Sequence, residues 1–183
     1  MLVTRSQTEA GSGLVPRLQP DPPLNSDLKK LYQQTLLQHS KQPHNNGELP
    51  DAASATVRNP LCGDEITVYH KTNDGEKSQI AFTAQACTIC LASASMMTQH
   101  LATLPTPEAV SFSQVFVSKF QSKPDSIELP GELAALSGVL SFPSRIRCAT
   151  LPFEAYLAAF KSGGTSESVA SLDATSPATQ EPK

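Results

Sequence analysis

Tryptophan is missing from this chain and aromatic residues make up only 5% of it, so any core must be built mainly from small and aliphatic side chains. Long apolar runs are missing as well. None approaches the roughly 18 to 20 residues that a membrane span requires, and the N-terminus has no secretory apolar stretch. A soluble, cytoplasmic protein with no membrane association is expected. No basic cluster is dense enough to neutralise a run of phosphates, and 14 Lys and Arg against 17 Asp and Glu leave a formal charge of -3, so no nucleic-acid partner is expected. No second full domain is expected, since 183 residues suit one domain with extensions.

What the chain has is cysteine in a small, suggestive number. Four Cys without an export signal are better read as metal ligands or reactive thiols than as a disulfide framework.

The ends are poor in anything that packs. Residues 1–25 hold Pro16, Pro20, Pro22 and Pro23 with few residues at a helical or strand period, and they cannot bury enough to offset ordering entropy. They read as a disordered arm, in which Leu14-Val15-Pro16-Arg17 resembles a protease-cleavage linker. Residues 162–183, rich in Gly, Ser, Thr and Ala, read as a disordered tail. The folded domain is expected over residues 26–161.

Ser26 is a good N-cap, followed by Leu28, Leu31, Tyr32, Thr35 and Leu36 at helical spacing, which predicts an amphipathic helix ending before Pro43. The period then changes. Ile66 and Val68 alternate with Thr67 and Tyr69, and Ile80 and Phe82 with Ala81 and Thr83, around Asn73-Asp74-Gly75. That is the signature of an antiparallel hairpin, with residues 54–58 a candidate third strand. Helices are expected over residues 88–101, 108–120 and 152–160, with a short segment at 132–136. Pro152 suits the first turn of the last helix, where its missing N–H costs nothing. Strands early and helices late predict an α+β fold, a small antiparallel three-stranded sheet with helices packed on one face.

Cys62 and Asp64 sit in Asn59-Pro60-Leu61-Cys62-Gly63-Asp64, a turn ahead of the first hairpin strand, and Cys87 follows the second. Because hairpin strands are antiparallel, these two points lie at the same end of the sheet, and three candidate ligands converge by topology. Cys148 is expected in the turn before the last helix, where the helix's partial positive charge favours thiolate. Three thiolates and one carboxylate form a tetrahedral set of the kind Zn²⁺ accepts. Two other readings compete. Any single Cys can be an inert buried hydrophobe, and Cys87-Thr88-Ile89-Cys90 is a C-x-x-C at a helix start that a redox dithiol would also show. His39, His44, His70 and His100 have no ligand spacing and read as surface or ordinary hydrogen-bonding residues. Asp51, Asp74 and Glu65 read as loop and surface charge.

Four ordered motifs carry a family resemblance: Leu31-Tyr32 to His39 with Pro43-His44-Asn45; Asn59 to Asp64; Cys87 to Ala94-Ser95-Met96-Met97; and Phe142-Pro143-Ser144-Arg145-Ile146-Arg147-Cys148-Ala149-Thr150-Leu151. Together they resemble the SufU branch of the NifU/IscU-like iron–sulfur cluster assembly proteins and cover nearly the whole folded domain. Cys148 follows Cys87 by 61 positions, leaving room for the loop and helix around Pro124 to Leu136 that the shorter IscU branch lacks. Arg147 stands where IscU-like proteins carry His. Ala86 and Cys90 depart from the family pattern, which usually has Gly and a small residue such as Ser.

The resemblance implies a zinc-dependent sulfurtransferase that takes persulfide sulfur from a pyridoxal-phosphate cysteine desulfurase of the SufS type and passes it to downstream cluster-assembly proteins. Carried over by motif, Cys62, Asp64, Cys87 and Cys148 would hold Zn²⁺, Cys62 would accept the sulfur and Arg145 would act beside it. One alternative keeps the fold and makes the chain a scaffold for a [2Fe-2S] cluster, since soft thiolates also suit iron. A further alternative is a non-catalytic protein with structural zinc.

Overall fold

The computed structural model describes residues 26–73 and 77–162. The expected arm over residues 1–25, the tip of the hairpin turn at residues 74–76 and the tail from residue 163 onward lie outside the described residues. The elements follow in the order α1 (Ser26–Lys41), β1 (Ala53–Arg58), β2 (Glu65–Asn73), β3 (Lys77–Gln85), α2 (Thr88–Leu101), α3 (Thr106–Gln121), a 3₁₀ helix (Gly131–Ser141), a 3₁₀ turn (Pro143–Arg145) and α4 (Ile146–Lys161). The fold is α+β, with a sheet of order β1-β2-β3 in which both pairings are antiparallel.

Alternation in the strands decides which face is covered. Ala53 and Ala55, Ile66, Val68 and His70, and Ser78, Ile80 and Phe82 are all buried, and the register sets Ala55 beside Val68 and Val68 beside Phe82. These residues form one continuous face, while Ser54, Thr56, Thr67, Tyr69, Gln79 and Thr83 turn to the other. A slip of one residue would send the whole apolar set to the outer face, so the pattern fixes the register. Helix α4 lies against β1 and β2, and α2 lies against β3 with α1 outside it.

Helix α2 buries Cys90 and then every residue from Ala92 to Thr98 without a break. Burial all round its circumference marks a central helix, and its small residues let α1, α4 and the sheet approach. The buried hydroxyls of α2 are all engaged, as burial demands: Ser93 donates to the Ala149 carbonyl at 2.6 Å, Ser95 accepts the His44 backbone N–H at 2.8 Å, and Thr98 donates to the Ser95 carbonyl at 3.0 Å. The missing tryptophan is made good by phenylalanine between α3 and α4, where the Phe116 and Phe153 rings stack at 3.9 Å.

The structure corrects three boundaries. Helix α4 begins at Ile146, six residues before Pro152, which lies inside it. Proline there removes the one N–H that would bond the Cys148 carbonyl, and the apolar stripe of α4 outweighs that loss. Helix α3 starts at Thr106 because Pro107 fits its first turn. The short segment expected at residues 132–136 is an eleven-residue 3₁₀ helix whose Leu133, Ala135, Leu136 and Val139 are buried.

The histidines divide. His44 is exposed, whereas His39 and His70 are buried in hydrogen-bonded networks. His39 joins α1, α2 and the 3₁₀ helix, with Nδ1 2.8 Å from Ser95 Oγ and Nε2 3.2 Å from Glu132. His70 meets Ser78 Oγ at 2.8 Å, and that hydroxyl meets Thr106 at 2.9 Å. Among the described residues, no helix is long and apolar enough to cross a membrane.

Burial lowers the pKa of His70 from its ordinary 6.5 because the charged imidazolium is disfavoured inside. Above pH 6.5 the ring is neutral in both folded and unfolded chains. Below it the unfolded chain takes up a proton that the folded chain resists, so stability falls as pH drops from 6.5 towards the lower folded value. His100, lowered by burial too, acts in the same direction. Chemical denaturation should show stability declining from pH 7.5 to pH 5, with His70 contributing at most about 1.4 kcal/mol per pH unit. His70→Gln should flatten that slope, and an unchanged slope would remove His70 as its source.

Candidate metal centre

The six residues between β1 and β2 form a tight loop, closed by its own backbone. The Asn59 N–H donates to the Asp64 carbonyl at 2.8 Å, and the Gly63 N–H donates to the Asn59 carbonyl at 2.9 Å. Gly63 takes φ +76°, a left-handed conformation that glycine adopts without the Cβ clash other residues meet. In this turn Cys62 is an exposed residue and Asp64 a buried one.

The register makes Glu65 the partner of both Arg58 and Gln85, so the loop and the end of β3 share one edge. Cys87, two residues past β3, is the N-cap of α2. Its backbone N–H donates to Asp64 Oδ1 at 2.8 Å, which ties the loop to the start of that helix. Cys148 arrives from a third direction as the third residue of α4, fully buried. Its place in the first helical turn, rather than in a preceding turn, follows from the early start of α4.

Cys62, Asp64 and Cys148 present ligand atoms that all lie within 4.8 Å of one another, and the two sulfurs are 3.6 Å apart. Cys87 stands beside this trio, half-buried, where its thiol influences the ionisation of both Asp64 and Cys148. Asp64 is pushed up by burial, but the thiols of Cys87 and Cys62, the Cys87 N–H and the Cys148 thiol gathered around it hold it below the ordinary carboxylate range. The thiols pay the reverse. Burial raises Cys87, and the neighbouring carboxylate adds to that; burial raises Cys148 far above an ordinary thiol, as do the surrounding Cys62, Cys87 and Asp64. One negative charge therefore sits on Asp64, and the Cys87 and Cys148 thiols keep their protons.

A cation reverses that balance, since coordination deprotonates thiols and releases their protons. Two observations fit the site to one. Asp64 Oδ2 is buried and has no hydrogen-bond partner, which is costly unless something positive meets it. Sulfurs held about 2.3 Å from a tetrahedral zinc lie about 3.8 Å apart, close to the 3.6 Å between Cys62 and Cys148.

The remaining candidates fall outside the cluster. Cys90 is 0% exposed in the hydrophobic core, and burial raises its thiol far above the ordinary range, which suits a core residue rather than half of an accessible dithiol. Arg145 is exposed at the N-terminus of α4, close in sequence to Cys148. Arg147 lies 3.8 Å from Glu154 on its own helix, so its charge is shared with that carboxylate. Glu65 pairs with Arg58 at the sheet edge, and Asp51 is an exposed loop residue. An open cleft of about 450 Å³ lined by Asn45, Glu48, Gln79 and Ala102 contains none of the cysteines; the chemistry lies on the loop edge instead.

One residue of the site escaped the sequence reading except as part of a turn. Asn59 is completely buried, and its side chain reaches both the Cys62 loop and the Cys148 sulfur. An Asn two residues ahead of a turn residue is the signal for a side chain that closes on its own backbone.

The family model for the NifU-like N-terminal domain matches residues 31–149. The chain is 41% identical over 133 residues, 72% of this chain and 90% of the relative, to the zinc-dependent sulfurtransferase SufU of Bacillus subtilis. It is 38% identical over 138 residues, 74% of this chain and 86% of the relative, to the iron–sulfur cluster assembly scaffold protein IscU of Streptococcus pyogenes. A crystal structure of a hypothetical protein superposes with a TM-score of 0.64 at 37% identity, covering 73% of this chain and 99% of that one.

The exposures order the thiols by reactivity. Limiting iodoacetamide on the folded, chelator-treated chain should label Cys62 first and leave Cys90 unlabelled until denaturant is added, as peptide mass spectrometry would show. Labelling of Cys90 under native conditions would contradict its place in the core.

Proposed function

Since the chain belongs to the NifU-like N-terminal domain family of iron–sulfur cluster assembly proteins, we propose that its part in assembly is that of a zinc-dependent sulfurtransferase taking persulfide sulfur from a cysteine desulfurase. The observation that carries this reading is the pairing of an exposed acceptor thiol, Cys62, with a buried carboxylate oxygen and a buried second thiol within 4.8 Å. Cys62, Asp64 and Cys148 would hold the metal, with Cys87 completing the set.

Bound zinc would supply ready-made thiolates at neutral pH. The protein's own residues do the rest. Cys87 caps the N-terminus of α2 and Cys148 lies in the first turn of α4, where the partial positive charge of the helix end favours thiolate and the helix fixes the backbone. Cys62 lies on a loop that can turn a side chain outward without unfolding an element. Its thiolate attacks the terminal sulfur of the desulfurase persulfide, the sulfur–sulfur bond of that persulfide breaks, and the desulfurase cysteine leaves as thiolate. The sulfur is then carried as a persulfide on Cys62. Arg145, exposed at the start of α4, offers a cation to the anionic sulfur as it passes.

The scaffold reading keeps a specific support, the 38% identity to an IscU named as a scaffold, and thiolates also suit a [2Fe-2S] cluster. Anaerobic reconstitution with iron and sulfide separates the two. A stable brown, visibly absorbing species with no stimulation of a desulfurase would favour the scaffold. Structural zinc alone predicts bound metal and no effect on the desulfurase.

Freshly purified chain, never exposed to chelator, should carry about one zinc per molecule, and well under half an equivalent would sink the proposal. Asp64→Ala should lower zinc affinity by more than the roughly 10–100-fold typical of an outer-shell change, while Cys90→Ala should bind as the parent does. Cys62→Ser should abolish stimulation of a cysteine desulfurase and leave the fold intact. After incubation with desulfurase and free cysteine, the added sulfur should lie on the Cys62 peptide; finding it mainly on Cys87 or Cys148 would overturn the assignment.

A further inference from the structure

We infer that Asn59 is a positioning residue of this centre, using one end of its carboxamide to build the Cys62 loop and the other to hold the Cys148 sulfur. The inference rests on the metal-site reading above and adds to it a residue that ligates nothing.

Every polar group of Asn59 is engaged. Its backbone closes the loop on the Asp64 carbonyl and the Gly63 N–H, its Oδ1 accepts the Leu61 N–H at 3.2 Å, and its Nδ2 donates to Cys148 Sγ at 3.9 Å. The orientation of the amide follows from chemistry. An N–H can only donate, so the Leu61 N–H requires the oxygen, and the NH₂ must face the sulfur. The side chain is 0% exposed, so this NH₂ has no bulk water to turn to. A neutral thiol is a weak acceptor, whereas a thiolate makes a charge-assisted hydrogen bond. The buried donor is thus matched to Cys148 in its ionised, metal-bound state, and it is anchored to the backbone one residue from Cys62.

This joins two ligands that differ in mobility. Cys148 is fixed in α4 and Cys62 rides on the loop, and a single rigid amide spans them. Outer-shell donors of this kind orient ligands and tune the metal, and losing one typically costs 10–100-fold in affinity.

Asn59→Asp separates the two roles. It keeps an oxygen for the Leu61 N–H but replaces the donor at the sulfur with an acceptor. Zn²⁺ competition against a chromophoric chelator should show affinity about 10–100-fold weaker. With Co²⁺ in place of zinc, the sulfur-to-metal charge-transfer band should move to lower energy, because a thiolate stripped of its donor gives up charge more readily. In the parent chain loaded with the NMR-active isotope of cadmium, one Asn59 side-chain amide proton should show scalar coupling to the metal through the sulfur.

Parent affinity and an unshifted band in a folded Asn59→Asp variant would overturn the inference. Weaker binding without the band shift would confine Asn59 to the loop and overturn the sulfur contact. If the variant does not fold, the cadmium coupling decides, and its absence counts against the inference. A parent chain that takes up neither zinc nor cadmium would instead overturn the metal-site reading itself.

Discussion

Glu65 pairs with Arg58 on one side and Gln85 on the other, and the candidate site depends on that double pairing. It brings the β1–β2 loop and the exit from β3 to one edge of the sheet, so Asp64 can take the N–H of Cys87. The buried face of β2 and β3 holds the register in place. Helix α4, laid across β1 and β2 to cover that face, then carries Cys148 to the same edge. The cluster of Cys62, Asp64 and Cys148 is therefore set by how the sheet is covered. Moving the register by one residue would break the hydrophobic face and the cluster together.

Placing a carboxylate among three thiols at a partly buried edge is unfavourable without a cation. Asp64 stays ionised because the Cys87 N–H and the surrounding thiols favour its charged form, and Cys87 and Cys148 are held protonated by burial and by its charge. Its second oxygen has no partner. A folded chain with this arrangement gains from any thiophilic cation that displaces the protons, and metal binding then adds to the stability of the loop edge as well as to its chemistry. The two helix N-termini at Cys87 and Cys148 work in the same direction, towards thiolate, but in the metal-free chain burial and Asp64 outweigh them.

Much of this was legible in the sequence because period and turn chemistry act locally. Alternation around Ile66–Val68 and Ile80–Phe82 located the hairpin, and antiparallel geometry alone placed Cys62, Asp64 and Cys87 at one end. What was missed depended on tertiary context. Pro152 reads as a helix start, yet α4 runs through it from Ile146 because packing against the sheet exceeds the loss of one hydrogen bond. The 3₁₀ helix at Gly131–Ser141 has no clean period of its own and is shaped by the core it fills. His39 read as a surface or ordinary hydrogen-bonding residue, and its partners, Ser95 and Glu132, were not legible because they lie 56 and 93 positions away. Asn59 was visible as turn chemistry, but its second contact, to a sulfur 89 positions later, was not.

The difference in setting among the four cysteines bears on what the site does. Cys90 is sealed in the core and Cys148 in the first turn of α4, and Cys87 caps α2 while its own N–H holds Asp64. Moving any of these three would disturb a helix or the core. Cys62 alone is exposed, next to Leu61, which is 81% exposed and packs on little of its own chain. A cysteine that a partner can reach, attached to a loop closed by local hydrogen bonds, can leave and rejoin a metal at small conformational cost. The sulfur-carrier role proposed above requires such a ligand, because its acceptor thiol must leave the metal to meet a partner, and the uneven burial of the thiols makes Cys62 the one suited to it.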